Sequence, residues 1–320
     1  MRNKPYKNQA FFLAGDCEDS AYRNVRDDIY FAEVRDFVES LWIRYRDLAD
    51  PTCRTNAQND FLARFWEMYL AVTLRERGFQ LRQDRHKKKG AGPEFYFLHD
   101  NRKIWVEAVA PRPGVKEDRV PESSFIEVAE IGRAKVGIEE IPVEKIILRY
   151  TGVLFGKDGK KDKYFRAVEK GIIAPDDLYI LAINSRRIPS AAHWHSMDIP
   201  YFVQAFLPFG NQVLLWNTKT GDIDKTFYER RKNVVKANTE SVATTAFLSP
   251  EFSFVSAVLH SAVDCLNHPN ILGDDFIILH NPKADHPIDS SLFQWCEQFF
   301  FEDGEQGAKL IRMPKKESQN

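Results

Sequence analysis

The stretch that decides the fold is "GPEFYFLHDNRKIWVEAVAP", residues 92–111. Two runs of alternating apolar residues flank the turn-forming segment "HDNR", a pattern that predicts a β-hairpin with Asp100 and Asn101 at its tip. Counting outward from that tip places Glu94 directly opposite Glu107 on one face of the hairpin. Their Cβ atoms would then lie roughly 5 Å apart.

Two glutamates at that separation need something to offset their charge. Like charges directly opposite each other are destabilising, and burial makes the repulsion stronger. Tyr96, Trp105 and Val109 share the predicted face, which argues against a fully exposed surface. A divalent cation held by both carboxylates would offset the repulsion. The alternative that stays open is an exposed hairpin face with two solvated glutamates.

A third acid, Glu67, lies within a predicted helix over residues 56–77 that ends at Gly78. Its neighbours at helical spacing are all apolar: Ala63, Leu70, Ala71 and Leu74. A carboxylate on an apolar stripe needs a partner, because an unpaired buried charge is costly. If this helix packs on the sheet face that bears Glu94 and Glu107, we expect the three carboxylates to meet.

The arrangement of Glu67 in "FWEMYL", Pro93-Glu94 in "GPEFYF" and Glu107 in "WVEAVAP" resembles the PD-(D/E)XK nuclease superfamily, also called the restriction-endonuclease-like fold. The resemblance covers residues 56–185. It implies hydrolysis of phosphodiester bonds in nucleic acid, with DNA as the expected substrate and restriction or defence as the expected role. It further implies a homodimer, and a Mg²⁺ or Mn²⁺ ion held by Glu94 and Glu107. Glu67 would ligate or orient a second metal or a water.

The lysine that this superfamily carries two residues after the strand acid is replaced here by Val109. Candidates to supply that positive charge and to bind the substrate lie in the next helical segment: Arg149, Lys161 and Lys163. Two basic loops, "DRHKKKGAG" at 84–92 and "GKDGKKDK" at 156–163, would form a track for phosphates on either side of the acids.

Two other functions stay open. Val109 in the lysine position favours a catalytically inactive module of the same fold that binds nucleic acid or a protein partner. A phosphoesterase that uses the same metal pair on a small substrate is the third candidate. The segment "HWH", with His193, His195 and Asp198, is interpreted as a surface loop rather than a transition-metal site, since no cysteine lies nearby.

The order of predicted elements indicates an α/β fold with a mixed central sheet flanked by helices. We predict a single domain, 1–320, made of an N-terminal helical segment (1–55), a nuclease-like core (56–185) and a mixed α/β extension packed on that core (186–320). A buried strand is predicted at 176–184 and another at "DDFIILH". Further helices are predicted at 28–48, 199–206 and 290–298, and residues 142–171 are predicted to be helical with a break at "GKDGKKDK".

Composition sets the remaining expectations. A formal net charge of -1 over 320 residues gives no global attraction to nucleic acid or to an anionic membrane, so any such binding must use a local patch. Four widely spaced cysteines without a CxxC motif predict free thiols, with two disulfides left open. Neither a signal-peptide core nor an apolar run of about 20 residues is evident. We therefore expect a soluble cytoplasmic protein that does not enter a membrane.

Overall fold

The computed structural model of the chain describes residues 9–83, 92–122, 125–131, 134–139, 141–155, 159–192, 199–304 and 307–316. The helices within these residues are α1 (Ser20–Asp27), α2 (Ala32–Tyr45), α3 (Cys53–Ala57), α4 (Phe61–Glu76), α5 (Val143–Phe155), α6 (Lys160–Glu169) and α7 (Tyr201–Phe206). Residues 84–91 of the first predicted basic loop, residues 156–158 of the second and the segment 193–198 that contains "HWH" lie outside the described residues.

The central element is a mixed seven-stranded sheet, which confirms the predicted α/β class. In spatial order its strands are β1 (Phe95–His99), β2 (Arg102–Val109), β5 (Leu178–Asn184), β10 (Ala257–Ser261), β11 (Ile277–His280), β12 (Glu297–Gly304) and β13 (Gly307–Met313). The three neighbours β2, β5 and β10 run parallel, and antiparallel partners lie on both sides of them. Strands buried on both faces read as continuous apolar runs, as "LYILAIN" does in β5.

The β1–β2 hairpin has the predicted tip and the predicted register. His99 pairs with Arg102, and the pairing continues to Phe95 opposite Val106. The two tip residues, Asp100 and Asn101, have φ angles of 49° and 61°. Positive φ at both positions defines the type I′ turn, whose twist matches that of the flanking strands. Asp and Asn accept this conformation more readily than most residues, so local sequence sets the register.

Alternation along the strands gives the sheet two buried faces. The first face carries Phe97, Ile104 and Ala182, and α4 packs on it within one continuous apolar core. The Trp66 indole N–H of α4 donates to the Ala182 carbonyl (3.1 Å). The second face carries Trp105, Glu107 and Tyr179, and α6 covers it through an edge-on contact of Tyr164 with Tyr179 (5.2 Å between ring centroids).

The chain divides into two compact units. The first, called the sheet unit, comprises Met1–Ala110, Asp162–Arg186 and Phe254–Asn320, and it holds the whole seven-stranded sheet. The second unit comprises Pro111–Lys161 and Arg187–Ser253. Residues 254–320, which the sequence analysis assigns to an extension, therefore supply four of the seven strands, namely β10 to β13.

The second unit is built from α5, α7 and three two-stranded sheets. Its strands are β3 (Phe125–Ile131) with β4 (Ala134–Glu139), β6 (Phe209–Trp216) with β7 (Ile223–Arg230), and β8 (Asn233–Val235) with β9 (Ser241–Ala243). Helices α5 and α7 pack together, with Tyr150 and Phe202 in ring contact.

The prediction of a helix at 290–298 is wrong. Only a short 3-10 turn forms at Ser290–Phe293, where Asp289 caps the turn by accepting from the Ser291 N–H (2.8 Å). From Glu297 the chain pairs in parallel with β11 instead. The helices predicted at 28–48, 56–77 and 199–206 and the strands predicted at 176–184 and "DDFIILH" are present with shifted ends, and the helical stretch predicted at 142–171 forms α5 and α6. The four cysteines are free thiols as expected.

Candidate functional site

Glu67 occupies the middle of α4 and is almost completely buried, with 2% of its surface exposed. Arg64, one helical turn earlier, places its Nη1 atom 2.6 Å from the Glu67 Oε1 atom. The Tyr45 hydroxyl of α2 lies 3.5 Å from the other carboxylate oxygen. Because a buried charge is costly unless it is paired and hydrogen-bonded, the Arg64 ion pair explains how an acid is tolerated within this apolar layer.

The three glutamates would meet only if helix α4 packed on the sheet face that bears Glu107, and it does not. It packs on the first face, with Phe97 and Ile104, whereas Glu107 alternates onto the second face with Trp105. Glu67 and Glu107 therefore belong to opposite layers of the sheet. Apolar periodicity identifies the buried side of a helix but not the sheet face that it covers.

Glu107 lies inside β2 with 6% of its surface exposed. Its neighbour along the same face, Trp105, donates its indole N–H to the Asp177 carboxylate (2.8 Å). On the adjacent parallel strand Tyr179 pairs with Trp105, so the Tyr179 phenol shares the face of Glu107. Burial raises the pKa of Tyr179 well above its ordinary value, and the negative charges of Glu107 and Glu94 add to that rise.

Glu94 sits at a bend directly before β1 and is partly buried. Its backbone N–H donates to the Val106 carbonyl (3.1 Å), so the hairpin pairing reaches this residue although regular register ends at Phe95. The Glu94 charge acts on the phenol of Tyr179 and also on that of Tyr45 beside α4. Glu94 is thus the acid that links the surroundings of Glu107 to those of Glu67 electrostatically.

Arg64 is the cation of this cluster. Burial alone would lower the pKa of its guanidinium, but the negative charges of Glu67 and Glu94 outweigh burial and raise that pKa above its ordinary value. Arg64 is not among the cations that the sequence predicts in place of the missing lysine, all of which follow Val109 along the chain. The signal that could have found it is the spacing of Arg64 and Glu67, since residues three apart are neighbours on a helix surface.

Lys103 shares a face with Glu107 but is held near the tip of the hairpin. Its Nζ atom lies 4.7 Å from the Tyr96 ring centroid and 5.0 Å from that of Trp105. These are cation–π contacts, which fix the ammonium group over the aromatic pair. Lys103 therefore has a structural role near the tip of the hairpin.

The three predicted substrate-binding cations lie in different surroundings. Arg149 belongs to the second unit, where burial lowers its pKa and the Asp118 charge opposes that shift. Lys161 of the same unit forms an ion pair with Glu251. Lys163 is an exposed residue of α6 in the sheet unit. Only Lys163 therefore belongs to the same unit as the glutamates.

Arg149 is packed tightly against a glycine of its own unit. A Cβ atom at Gly114, where φ is +99°, would lie 2.1 Å from the Arg149 Nη1 atom. The positive φ at this position favours glycine, because other residues adopt it only with strain. Arg149 is thus a partly buried residue of the second unit that packs against Gly114.

No group of three or more His, Cys, Asp or Glu side chains in the described part of the chain is arranged to hold a metal ion. None of the described helices is long and apolar enough to cross a membrane.

Comparison of the chain with family models, with curated proteins and with solved structures finds no match. The geometry of the sheet unit and its carboxylates is therefore the basis on which a function can be argued.

Proposed function

We propose that the sheet unit is a restriction-endonuclease-like core that hydrolyses phosphodiester bonds of nucleic acid, with DNA as the preferred substrate, in a metal-dependent reaction. The order of its elements supports this proposal: α4 precedes the β1–β2 hairpin, and α6 then leads to the parallel strand β5. Glu94 and Glu107 occupy the start of the hairpin and the interior of its second strand, as the resemblance requires.

The observation that carries the proposal is that Glu107 is buried inside β2 while the partly buried Glu94 donates its backbone N–H to the carbonyl of Val106, the residue before Glu107, so both acids lie at the same end of the hairpin. Two carboxylates on neighbouring strands suit a hard divalent cation such as Mg²⁺ or Mn²⁺, whose other positions are filled by water and phosphate oxygens. When bound there, the ion would lower the pKa of a water molecule and offset charge on the phosphate.

Arg64 changes the role that the resemblance assigns to Glu67. Because the Glu67 carboxylate already forms an ion pair with Arg64, we assign to Glu67 the task of orienting that guanidinium rather than ligating a metal. Arg64, held near Glu94, would then supply the positive charge that Val109 cannot. A guanidinium presents several N–H donors and suits recognition of phosphate.

A second candidate is a catalytically inactive module that binds nucleic acid or a protein partner. The same ion pair favours it, because Arg64 already offsets part of the negative charge that a metal would otherwise offset. Under this alternative the carboxylates and Arg64 form a structural cluster, and metal removal changes nothing.

The decisive experiment compares Glu107→Gln with Glu169→Gln, a matched exposed acid at the end of α6. Duplex DNA, single-stranded DNA and RNA are incubated with Mg²⁺, Mn²⁺ or EDTA, and circular dichroism verifies folding. We expect metal-dependent cleavage by the wild type, unchanged cleavage by the Glu169 variant and a loss of at least about 100-fold in the Glu107 variant. Cleavage retained by Glu107→Gln contradicts the proposal, and nucleic-acid binding without cleavage by the wild type supports the second candidate.

A further inference from the structure

The β6–β7 hairpin of the second unit exposes an unusual amount of apolar surface. Five of its large apolar side chains are exposed: Leu214, Leu215, Trp216, Ile223 and Phe227. Trp216 is the most exposed of them, at 61%. A two-stranded hairpin is marginally stable by itself, and a contiguous exposed apolar patch marks a site of association.

The exposed apolar side chains lie on both faces of the hairpin. Phe227 pairs with Val213, and Ile223 pairs with Trp216 beyond a β-bulge. Residues that pair across two strands point to the same face and successive residues of β6 alternate, so one face carries Val213, Leu215 and Phe227 and the other carries Leu214, Trp216 and Ile223. Among the described residues β6 is the only strand neighbour of β7, so the other edge of β7 is open to pairing with a further strand.

The charges of β7 are arranged symmetrically about Phe227. Asp224 and Arg230 lie three residues before and after it, and Lys225 and Glu229 lie two residues before and after it. If two copies of β7 paired antiparallel around Phe227, each Asp224 would face the partner's Arg230. Each Lys225 would likewise face the partner's Glu229. All four charged residues of the strand would then lie opposite a residue of the other sign, which stabilises a cross-strand pair.

Only this alignment satisfies all four charges. A shift of one residue in one direction places Asp224 opposite the partner's Glu229. A shift in the other direction places Lys225 opposite the partner's Arg230. Both shifts bring like charges together, and each also puts the Phe227 faces of the two hairpins on opposite sides of the joined sheet. The strand therefore specifies a register with itself.

We propose that β7 pairs with β7 of a second copy of this chain, about a two-fold axis at Phe227. The product is a four-stranded sheet in the order β6, β7, the partner's β7 and the partner's β6. An axis perpendicular to the sheet puts the faces that carry Val213, Leu215 and Phe227 on the same side, and Phe227 packs beside its own copy. An interface of this kind is isologous and closes at two subunits.

The proposal follows from the residues of β7 and does not depend on the proposed function. A nuclease and an inactive binding module would both be dimers, and loss of cleavage would leave the interface unaffected. Since the charged residues are exposed, added salt should weaken the dimer by screening their attraction.

The test uses charge reversal in the full-length chain, with molecular mass measured by light scattering and sedimentation at low ionic strength. Lys225→Glu alone and Glu229→Lys alone should each raise the dimer dissociation constant by about tenfold or more, because each reversal places like charges at two symmetry-related positions. The double variant Lys225→Glu/Glu229→Lys should dimerise as the wild type does. An equimolar mixture of the two single variants should form the heterodimer, in which both pairs are again opposite in sign.

A cysteine at the axis gives a second, independent readout. Phe227→Cys places two thiols on directly opposed residues with Cα atoms about 4.5 to 5.5 Å apart, a separation that a disulfide can bridge. Oxidised glutathione as oxidant should therefore link the dimer covalently. Leu214→Cys is the control, because three strand spacings of roughly 14 Å would separate it from its copy.

Three results would overturn the proposal. The first is a wild-type chain that stays monomeric at a concentration on the order of 100 μM, which would leave the exposed apolar side chains to some other partner. The second is a dimer that single charge reversals do not weaken. The third is a double variant that remains as weak as the single variants, since the loss would then come from damage to the hairpin.

Discussion

Replacement of Arg64 with methionine should destabilise the sheet unit by about 3 kcal/mol at pH 7. Glu67 is almost completely buried, and Arg64 contacts it at 2.6 Å. Removal of one partner of a buried ion pair costs about 3 to 5 kcal/mol, because the other charge stays buried. The Arg64 side chain is 22% exposed, so water can enter near the remaining carboxylate, and the lower end of that range applies. The penalty should shrink as the pH falls toward about 4, where carboxylates take up protons.

Urea unfolding at pH 7 and pH 5 measures this effect, and two further variants control for it. Arg44→Met removes an ion pair with Glu76 in which both side chains are more than 40% exposed, so it should cost about 1 kcal/mol or less. The double variant Arg64→Met/Glu67→Gln also removes the Glu67 charge, whose ion pair Arg64→Met breaks, and it should be more stable than Arg64→Met alone. The reasoning is refuted if Arg64→Met costs no more than Arg44→Met, or if the double variant shows no recovery.

Two further predictions concern packing and pH. Gly273→Ala should lower the free energy of unfolding by clearly more than Gly171→Ala does. Both glycines have positive φ, which gives alanine about 1 to 2 kcal/mol of backbone strain at either position. Only at Gly273 would the new Cβ also lie 2.3 Å from the Thr73 Cγ2 atom. Equal costs would contradict this. Burial lowers the pKa of His280, so below about pH 6.5 the unfolded chain binds more protons and stability falls with falling pH. His280→Phe should unfold with a smaller loss of stability between pH 7.5 and pH 5, and an unchanged pH profile would exclude this role.

The hairpin could be predicted in detail because its information is local. Alternation sets the two faces, and the residues at the tip, Asp100 and Asn101, accept the positive φ angles of a type I′ turn. Together they fix which residue of β1 lies opposite which residue of β2. Helix α4 could be predicted for the same reason, since its apolar period and the stop at Gly78 are both contained within about twenty residues.

The remainder of the fold depends on contacts between distant segments. Strands β10 to β13 lie far along the chain from β1 and β2, and no local pattern states that they join the same sheet. The segment at 290–298 shows the consequence: its apolar residues suit a helix, but pairing of Glu297 with Ile277 of β11 decides the outcome. Tertiary context overrides propensity in such short apolar runs.

The acids of the candidate site could be predicted from the sequence, but the cation that pairs with them could not, for a related physical reason. A buried acid needs a partner such as a cation, because an unpaired buried charge is costly, and the acids are evident in the sequence. It does not show which cation meets that need, because this depends on how α4 lies on the sheet. A search limited to the neighbourhood of Val109 could not find a guanidinium that arrives from a helix on the other face. The spacing of Arg64 and Glu67 was readable, but only the structure relates Arg64 to Glu94.

The position of Arg64 makes thermal stability with and without metal informative about function. If Glu94 and Glu107 bind Mg²⁺, the wild type should gain stability on addition of the ion, because a ligand that binds only the folded state stabilises it by mass action. If Arg64 instead takes the place of the metal, the wild type should not respond, whereas Arg64→Met should recover part of its lost stability when Mg²⁺ is added. The nuclease therefore predicts that Mg²⁺ stabilises the wild type, whereas the inactive module predicts that Mg²⁺ stabilises Arg64→Met and not the wild type. If Mg²⁺ stabilises neither protein, the carboxylates do not bind the metal, and the cluster that they form with Arg64 has a structural role only.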